Sequence, residues 1–206
     1  MELFARMAEK AYESVHFFHD AATGLRALVS LHDTTLGPGL GGTRALSTYP
    51  SEAHAVDDVL RLARGMTYKA ALAGLPHGGG KAVILLPEAP FDRAALFAAF
   101  GRAVDSLGGR YVTTEDSGTT TDDMDQIRKV TRHVVGMSRA RGGSGDPSPF
   151  TAFGVLRGIQ AVAKFHLGRS DLEDLRVSIL GVGRVGFHLA RLLKEQGAQL
   201  LSLIHI

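Results

Sequence analysis

The order of apolar and polar positions divides this 206-residue chain into short β-prone runs and longer helical ones. Residues 1–10 read as an amphipathic helix. Residues 15–19 and 25–32 are β-prone and are joined by Asp20-Ala-Ala-Thr-Gly24, which predicts an antiparallel hairpin with Gly24 in the turn. The stretch Leu36-Gly-Pro-Gly-Leu-Gly-Gly-Thr43 reads as a glycine-rich loop. Ser51 stands as an N-cap before a helix with apolar positions Ala53, Val56, Leu60 and Ala63. Residues 82–86 predict a short buried strand. A second helix follows over 91–107, closed by Gly108-Gly109, and then a strand over 111–114. Residues 121–130 start a short acidic helix, and 133–135 read as one more strand.

Residues 138–149 are rich in Gly, Ser and Pro and mark a boundary between domains. Beyond them the pattern predicts a helix over 149–165, a strand over 175–180, a tight turn over 181–186, a helix over 185–196 and a strand over 200–206. The expected class is therefore α/β. An N-terminal α/β domain, residues 1–145, precedes the start of a Rossmann-type nucleotide-binding domain, residues 146–206.

Composition narrows the function. Net charge is +2, with 23 Lys and Arg scattered among 21 Asp and Glu, and no basic run carries interleaved aromatics. Nucleic acid is thus not an expected partner. The absence of cysteine removes disulfides and thiolate metal sites and fits a reducing cytosol. The first ten residues lack the pattern of a signal peptide, and no apolar stretch reaches the roughly 18–20 residues that span a bilayer. A cytoplasmic protein without a membrane partner is expected. The nine histidines show no metal-ligand spacing, so no metal is expected. Phe97 with Phe100, and Phe150 with Phe153, have helical spacing and read as core.

Two lysines carry the chemistry. Lys69 lies among Tyr68, Ala70, Ala71, Leu72 and Ala73, and Lys81 follows three glycines and enters Ala82-Val-Ile-Leu-Leu86. A lysine held in apolar surroundings is paired or has a lowered pKa. Alternatively, each amine snorkels to solvent on its long stem. The run Gly74 to Lys81 is not a P-loop, because Leu75 and Ala82 occupy the places of the required Gly and Ser/Thr. Asp116 follows a predicted strand end, where a carboxylate relays protons or fixes a lysine, or takes the commoner role of a loop Asp, an Asx-turn or helix cap.

Gly181, Val182, Gly183, Arg184, Val185 and Gly186 form G-x-G-x-x-G between a strand and a helix, the setting that marks dinucleotide binding. A ligand-free glycine turn is the alternative. The acidic residue expected about 20 positions on is missing, since Ile204 stands there.

The segments His32-Asp-Thr-Thr-Leu-Gly-Pro-Gly-Leu-Gly-Gly-Thr-Arg44, Leu60 to Lys69, Gly78-Gly-Gly-Lys81, Thr114-Glu-Asp-Ser-Gly-Thr-Thr120, Pro147-Ser-Pro149 and Thr151-Ala-Phe-Gly154 together resemble the Glu/Leu/Phe/Val amino-acid dehydrogenase family, its leucine-specific branch above all. The likeness runs from about Tyr12 to Gln199. It implies NAD-dependent, reversible oxidative deamination of a branched-chain L-amino acid, L-leucine favoured, to a 2-oxo acid and ammonium. Phenylalanine or valine dehydrogenase is the near alternative, and a non-catalytic amino-acid-binding or assembly fragment the distant one.

By the same resemblance Lys81 is the catalytic lysine and Asp116 the carboxylate that shares its proton. Lys69 pairs with the substrate carboxylate, while Gly41, Gly42 and Met66 line the substrate pocket. Thr151 lies near the nicotinamide. Self-association into a homo-oligomer is implied as well. The sequence departs from the branch at Thr114, where Ala is usual, at Ser117, where Val is usual, and at Asp146, where Asn is usual. The last residues, 201–206, do not continue the family pattern and suggest a truncated chain with a non-native end.

Overall fold

The computed structural model describes residues 2–203, without the side chains of the last two of these. The chain divides into two compact units between Gly145 and Asp146, inside the stretch rich in Gly, Ser and Pro.

The first unit is built on a five-stranded sheet. In chain order it contains α1 (Leu3–Lys10), β1 (Ser14–Asp20), β2 (Leu25–Asp33), β3 (Gly39–Leu46), α2 (Glu52–Leu72), β4 (Gly78–Leu85), α3 (Arg93–Asp105), β5 (Tyr111–Glu115) and α4 (Thr121–Arg128). The strands lie in the order β1-β2-β4-β3-β5. β1 and β2 form the expected hairpin, and Gly24 at its turn has φ +72°, which glycine adopts without strain. β2 pairs antiparallel with β4, whereas β4, β3 and β5 run parallel.

Burial follows from these positions. β4 is covered on both faces, and its residues Gly78 to Ile84 are all buried. Ala82 and Ile84 pack with Ala27, Val29, Phe97, Phe100, Tyr111, Met124 and Ile127 beneath α3 and α4. Val83 and Leu28 face the other way, against Ala55, Val56, Val59 and Leu60 of α2. That alternation puts the odd-numbered residues of β4 under α2. Ser51 caps α2 as expected, its hydroxyl accepting from the His54 N–H.

Three expectations are corrected here. The glycine-rich loop is a loop only before Gly39, since residues 39–46 form the inner strand β3. The glycines are there because neighbouring backbone approaches too closely for side chains, which overrides their poor strand propensity. For the same reason β4 begins at Gly78 rather than Ala82. Residues 133–135 make only an isolated bridge, Val134 to Thr113.

The second unit contains a 20-residue helix α5 (Ser148–Leu167), β6 (Arg176–Leu180), α6 (Arg184–Glu195) and β7 (Gln199–Leu203). β6 and β7 pair in parallel, the form a β-α-β crossover takes. Leu156, Ile179, Leu189 and Leu193 form part of its core. Phe150 and Phe153 are exposed, contrary to their reading as core, and Phe153 instead lies under the Arg157 guanidinium. Residues 204–206, the end of the last predicted strand and the site of Ile204, lie outside the described residues.

Candidate active site

Lys81 is an ammonium in the central strand of the sheet. Its residue is 6% exposed. It shares the α2 side of β4 with Val83, and across β2 it is in register with Ser30. Burial of a cation in such a place demands a counter-charge. Asp116 supplies it from the loop after β5, with Nζ donating to Oδ2 at 2.5 Å.

Gly42 on β3 makes this meeting possible, because a side chain there would stand between β3 and Asp116. Thr119 fixes the Asp116 loop. Its hydroxyl accepts from the Asp116 N–H at 2.8 Å and donates to the Thr43 carbonyl at 3.1 Å.

The electrostatics follow from this geometry. Burial pushes the Lys81 amine below its ordinary value, and Arg44 pushes the same way against the pull of Asp116. Burial alone would raise the Asp116 carboxyl. The Lys81 charge and its hydrogen bond, with Arg44 behind them, outweigh this and hold it below the ordinary carboxylate value. The pair is thus an amine eased toward neutrality beside a carboxylate kept ionised, two groups able to pass a proton between them.

Arg44 and its partners are the part of the site that sequence reasoning missed. Arg44 Nε donates to Asp116 Oδ2 at 3.3 Å, and its Nη1 donates to Asp58 Oδ2 at 2.6 Å. Asp58, on α2, also accepts from Tyr49 Oη at 2.7 Å and from Arg61 at 2.6 Å. Burial and the Asp58 carboxylate raise the Tyr49 phenol far above its usual value, so it remains a donor. Arg44 ends the segment that carries the family likeness, which was the available signal, but nothing local pairs it with a helix residue.

The remaining predicted positions are distributed as follows. Gly41 is buried in β3, its carbonyl accepting from Tyr111 Oη at 2.7 Å, and a side chain on it would run into the Gly80 carbonyl. Met66 and Lys69 lie toward the end of α2 on either side of Thr67, which rests against Gly79. Of the two readings open for Lys69, the structure agrees with the amine that reaches solvent and not with the buried or paired one. Lys69 is exposed, and its ammonium has no hydrogen-bond or ion-pair partner among the described residues. Its apolar neighbours Tyr68 and Leu72 are themselves exposed, because the helical period turns this stretch outward apart from Ala70. The structure therefore brings Lys81, Asp116 and Gly42 together and leaves Lys69 facing solvent.

In the second unit, Gly181 has φ +86° and opens the turn between β6 and α6. Gly183 is the N-cap of α6, where no side chain caps the helix and no acidic residue stands in its first turn. A Cβ on Gly181 or Gly183 would point into open space, whereas one on Gly186 would strike the Gly181 carbonyl. These are the features a pyrophosphate requires: an open glycine edge, an uncapped helix N-terminus and close helix-to-strand packing. Arg184 is exposed, and Val182 and Val185 are half-buried beside it.

Thr151 is exposed on the first turn of α5, its hydroxyl donating to the Pro147 carbonyl at 3.1 Å. Asp146, one residue before the N-cap Pro147, accepts from the Ser148 N–H at 2.8 Å and from its hydroxyl at 2.6 Å, an Asx-type turn that leads into α5. Against the effect of burial, those bonds together with Arg184 and His188 hold its carboxyl below the ordinary value. Among the described residues no cluster of His, Asp and Glu could hold a metal ion, and no helix is long and apolar enough to cross a membrane.

Known proteins resemble the chain over most of its length. It is 52% identical over 201 residues to leucine dehydrogenase from Geobacillus stearothermophilus, an alignment covering 98% of this chain and 54% of that protein. It is 50% identical over 190 residues to valine dehydrogenase from Streptomyces coelicolor, covering 92% of this chain and 52% of that one. The crystal structure of L-tryptophan dehydrogenase from Nostoc punctiforme matches with a TM-score of 0.69 and 40% identity, over 97% of this chain and 56% of that one. The chain thus spans about half the length of the curated relatives it matches. The family model described as Glu/Leu/Phe/Val dehydrogenase, dimerisation domain, matches residues 12–133, the segment that holds Lys81, Arg44 and Asp116. The chain belongs to the Glu/Leu/Phe/Val dehydrogenase family.

Proposed function

We propose that this chain is the substrate-binding part, residues 1–145, and the beginning of the NAD-binding part, residues 146–206, of a branched-chain L-amino-acid dehydrogenase that favours L-leucine. An L-amino acid, NAD⁺ and water would give a 2-oxo acid, ammonium, NADH and a proton. The observation that carries this reading is the buried Lys81 paired with the half-buried Asp116. It is supported by the likeness to a leucine dehydrogenase.

Bound NAD would accept the hydride from the substrate Cα. The chain's own residues would do the rest. A neutral Lys81 takes a proton from the water that adds to the substrate iminium carbon, and Asp116, hydrogen-bonded to it, is the second proton station. Lys69, free of internal partners among the described residues, is available for the substrate carboxylate, and such an anchor would orient the Cα hydrogen. Gly41, Gly42 and Met66 would shape the pocket. The open edge at Gly181 and Gly183, with the uncapped start of α6, would seat the pyrophosphate, and Thr151 would lie near the nicotinamide.

Self-association and a cytoplasmic location belong to the same reading. Valine as substrate is the second reading, favoured by the similar identity to a valine dehydrogenase. The test is NADH formation by the full-length gene product with L-leucine, L-isoleucine, L-valine and L-phenylalanine, beside its Lys81→Ala variant. Activity greatest with L-leucine and lost in the variant is expected. An active Lys81→Ala enzyme, or a wild type inactive on all four, would refute the reading.

A further inference from the structure

Asp116 receives two cations on one oxygen. Lys81 Nζ reaches Oδ2 at 2.5 Å from β4, and Arg44 Nε reaches the same atom at 3.3 Å from β3. Arg44 does not depend on Asp116 for its own position. Its other arm is locked to Asp58 at 2.6 Å, and Asp58 is held in turn by Tyr49 and Arg61. The guanidinium therefore spans two carboxylates on separate elements, one on α2 and one on the loop after β5. A rigid planar fork with several fixed donors suits this span better than an ammonium, whose three donors leave one compact point of charge.

We propose that Arg44 is a positioning residue for the Lys81–Asp116 pair: anchored on Asp58, it holds the Asp116 carboxylate and shares its charge, which releases the Lys81 amine to act as a base. This rests on the proposed role of Lys81. Without Arg44, Lys81 would be the only cation on Asp116 among the described residues, and the carboxylate would keep that amine protonated. With Arg44 in place, Asp116 remains neutralised after Lys81 loses its proton, and a second cation disfavours the ammonium. Among the described residues, the charged groups that act most on Lys81 are Asp116 from the loop after β5, Arg44 from β3 and Asp58 from α2. β2 sets the uncharged Ser30 in register with it, and the titratable His32 lies two residues along the same face, hydrogen-bonded to Thr67 of α2. Tyr49 and Arg61 stand behind Asp58.

The test compares Arg44→Gln and Arg44→Lys with wild type in the full-length gene product. Two readouts are followed against pH: kcat/KM with L-leucine, and acetylation of the Lys81 amine by acetic anhydride, quantified by peptide mass spectrometry. In Arg44→Gln both curves should move to higher pH by about one unit. Activity at neutral pH would then fall about tenfold and recover in alkali. Arg44→Lys, whose ammonium stays with Asp58, should show a smaller displacement in the same direction. It also decides the matter alone should Arg44→Gln fail to fold.

A uniform loss of activity with an unmoved Lys81 acetylation curve in a folded variant would reduce Arg44 to a structural brace and overturn the proposal. A wild type without dehydrogenase activity would refute the proposed function, yet the acetylation curves would still decide what Arg44 does to Lys81.

Discussion

A Cβ placed on Gly42 would lie 2.8 Å from the Cβ of Asp116 and 2.7 Å from the Glu115 carbonyl oxygen, closer than such atoms approach. The carboxylate that faces Lys81 is therefore set by the missing side chain of a residue on the neighbouring strand. Gly42→Ala should push the loop after β5 outward and break the 2.5 Å contact. Overpacking of this kind costs about 1–3 kcal/mol. Urea unfolding should register that loss, and the dehydrogenase assay should show kcat falling far more than KM rises.

Asp58 gives a pH-dependent prediction. Burial alone would raise its carboxyl, but hydrogen bonds from Tyr49 and Arg61 and the Arg44 charge hold it below its ordinary value. A carboxyl lowered on folding adds stability that is complete above its unfolded value and is lost as pH falls through the folded one. Asp58→Asn should therefore cost roughly 1.5–3 kcal/mol at neutral pH, as loss of charge-assisted hydrogen bonds does. Thermal unfolding from pH 7 downward should show the gap from wild type closing below about pH 4. A gap that stayed constant into acid would show that Asp58 carries no such charge.

Thr114 is in register with Gly42 on β5 and sits on the side of the sheet that Gly42 shares with Arg44. Its hydroxyl and methyl occupy space that Ala would leave free. Thr114→Ala should shift kcat/KM toward bulkier aliphatic or aromatic substrates by about tenfold relative to L-valine, the scale of one small group in an apolar pocket. Unchanged ratios across L-valine, L-leucine and L-phenylalanine would place Thr114 outside the pocket.

Asp146 separates charge from hydrogen bonding. Asparagine keeps an oxygen to accept from Ser148, so Asp146→Asn should alter stability little, whereas Asp146→Ala, which loses the turn's hydrogen bonds, should cost about 1 kcal/mol in urea unfolding. Equal losses in the two variants would show that the charge, through Arg184 and His188, is what matters.

How far the site was legible depended on whether its cause was local. Lys81 could be picked out because a cation flanked by glycines and aliphatic residues in a strand is buried on both faces. Lys69 had the same kind of neighbours, but a helix turns by about 100° per residue, so those neighbours do not share its surroundings. The turn at Gly181 was readable since strand, glycines and helix follow one another directly. The strand β3 was not, because its glycines answer to β4, β5 and the Asp116 loop rather than to their own propensity. Arg44 with Asp58 was hidden for the same reason: their contact exists only once α2 lies across the sheet.

Gly79 shows what such contacts impose on the chain. A side chain there would run into the Thr67 side chain and backbone and into the Ala63 carbonyl, so α2 rests directly on the strand. This notch indexes the helix as a detent indexes a dial. Slipping α2 by one residue would carry Lys69 about 1.5 Å along and 100° around the axis. The distance between Lys69, proposed above as the carboxylate anchor, and the Lys81–Asp116 pair is thereby gauged by a residue that touches neither. On that proposal, mutations in the glycine run should alter which substrate lengths fit, even when Lys69, Lys81 and Asp116 are all retained.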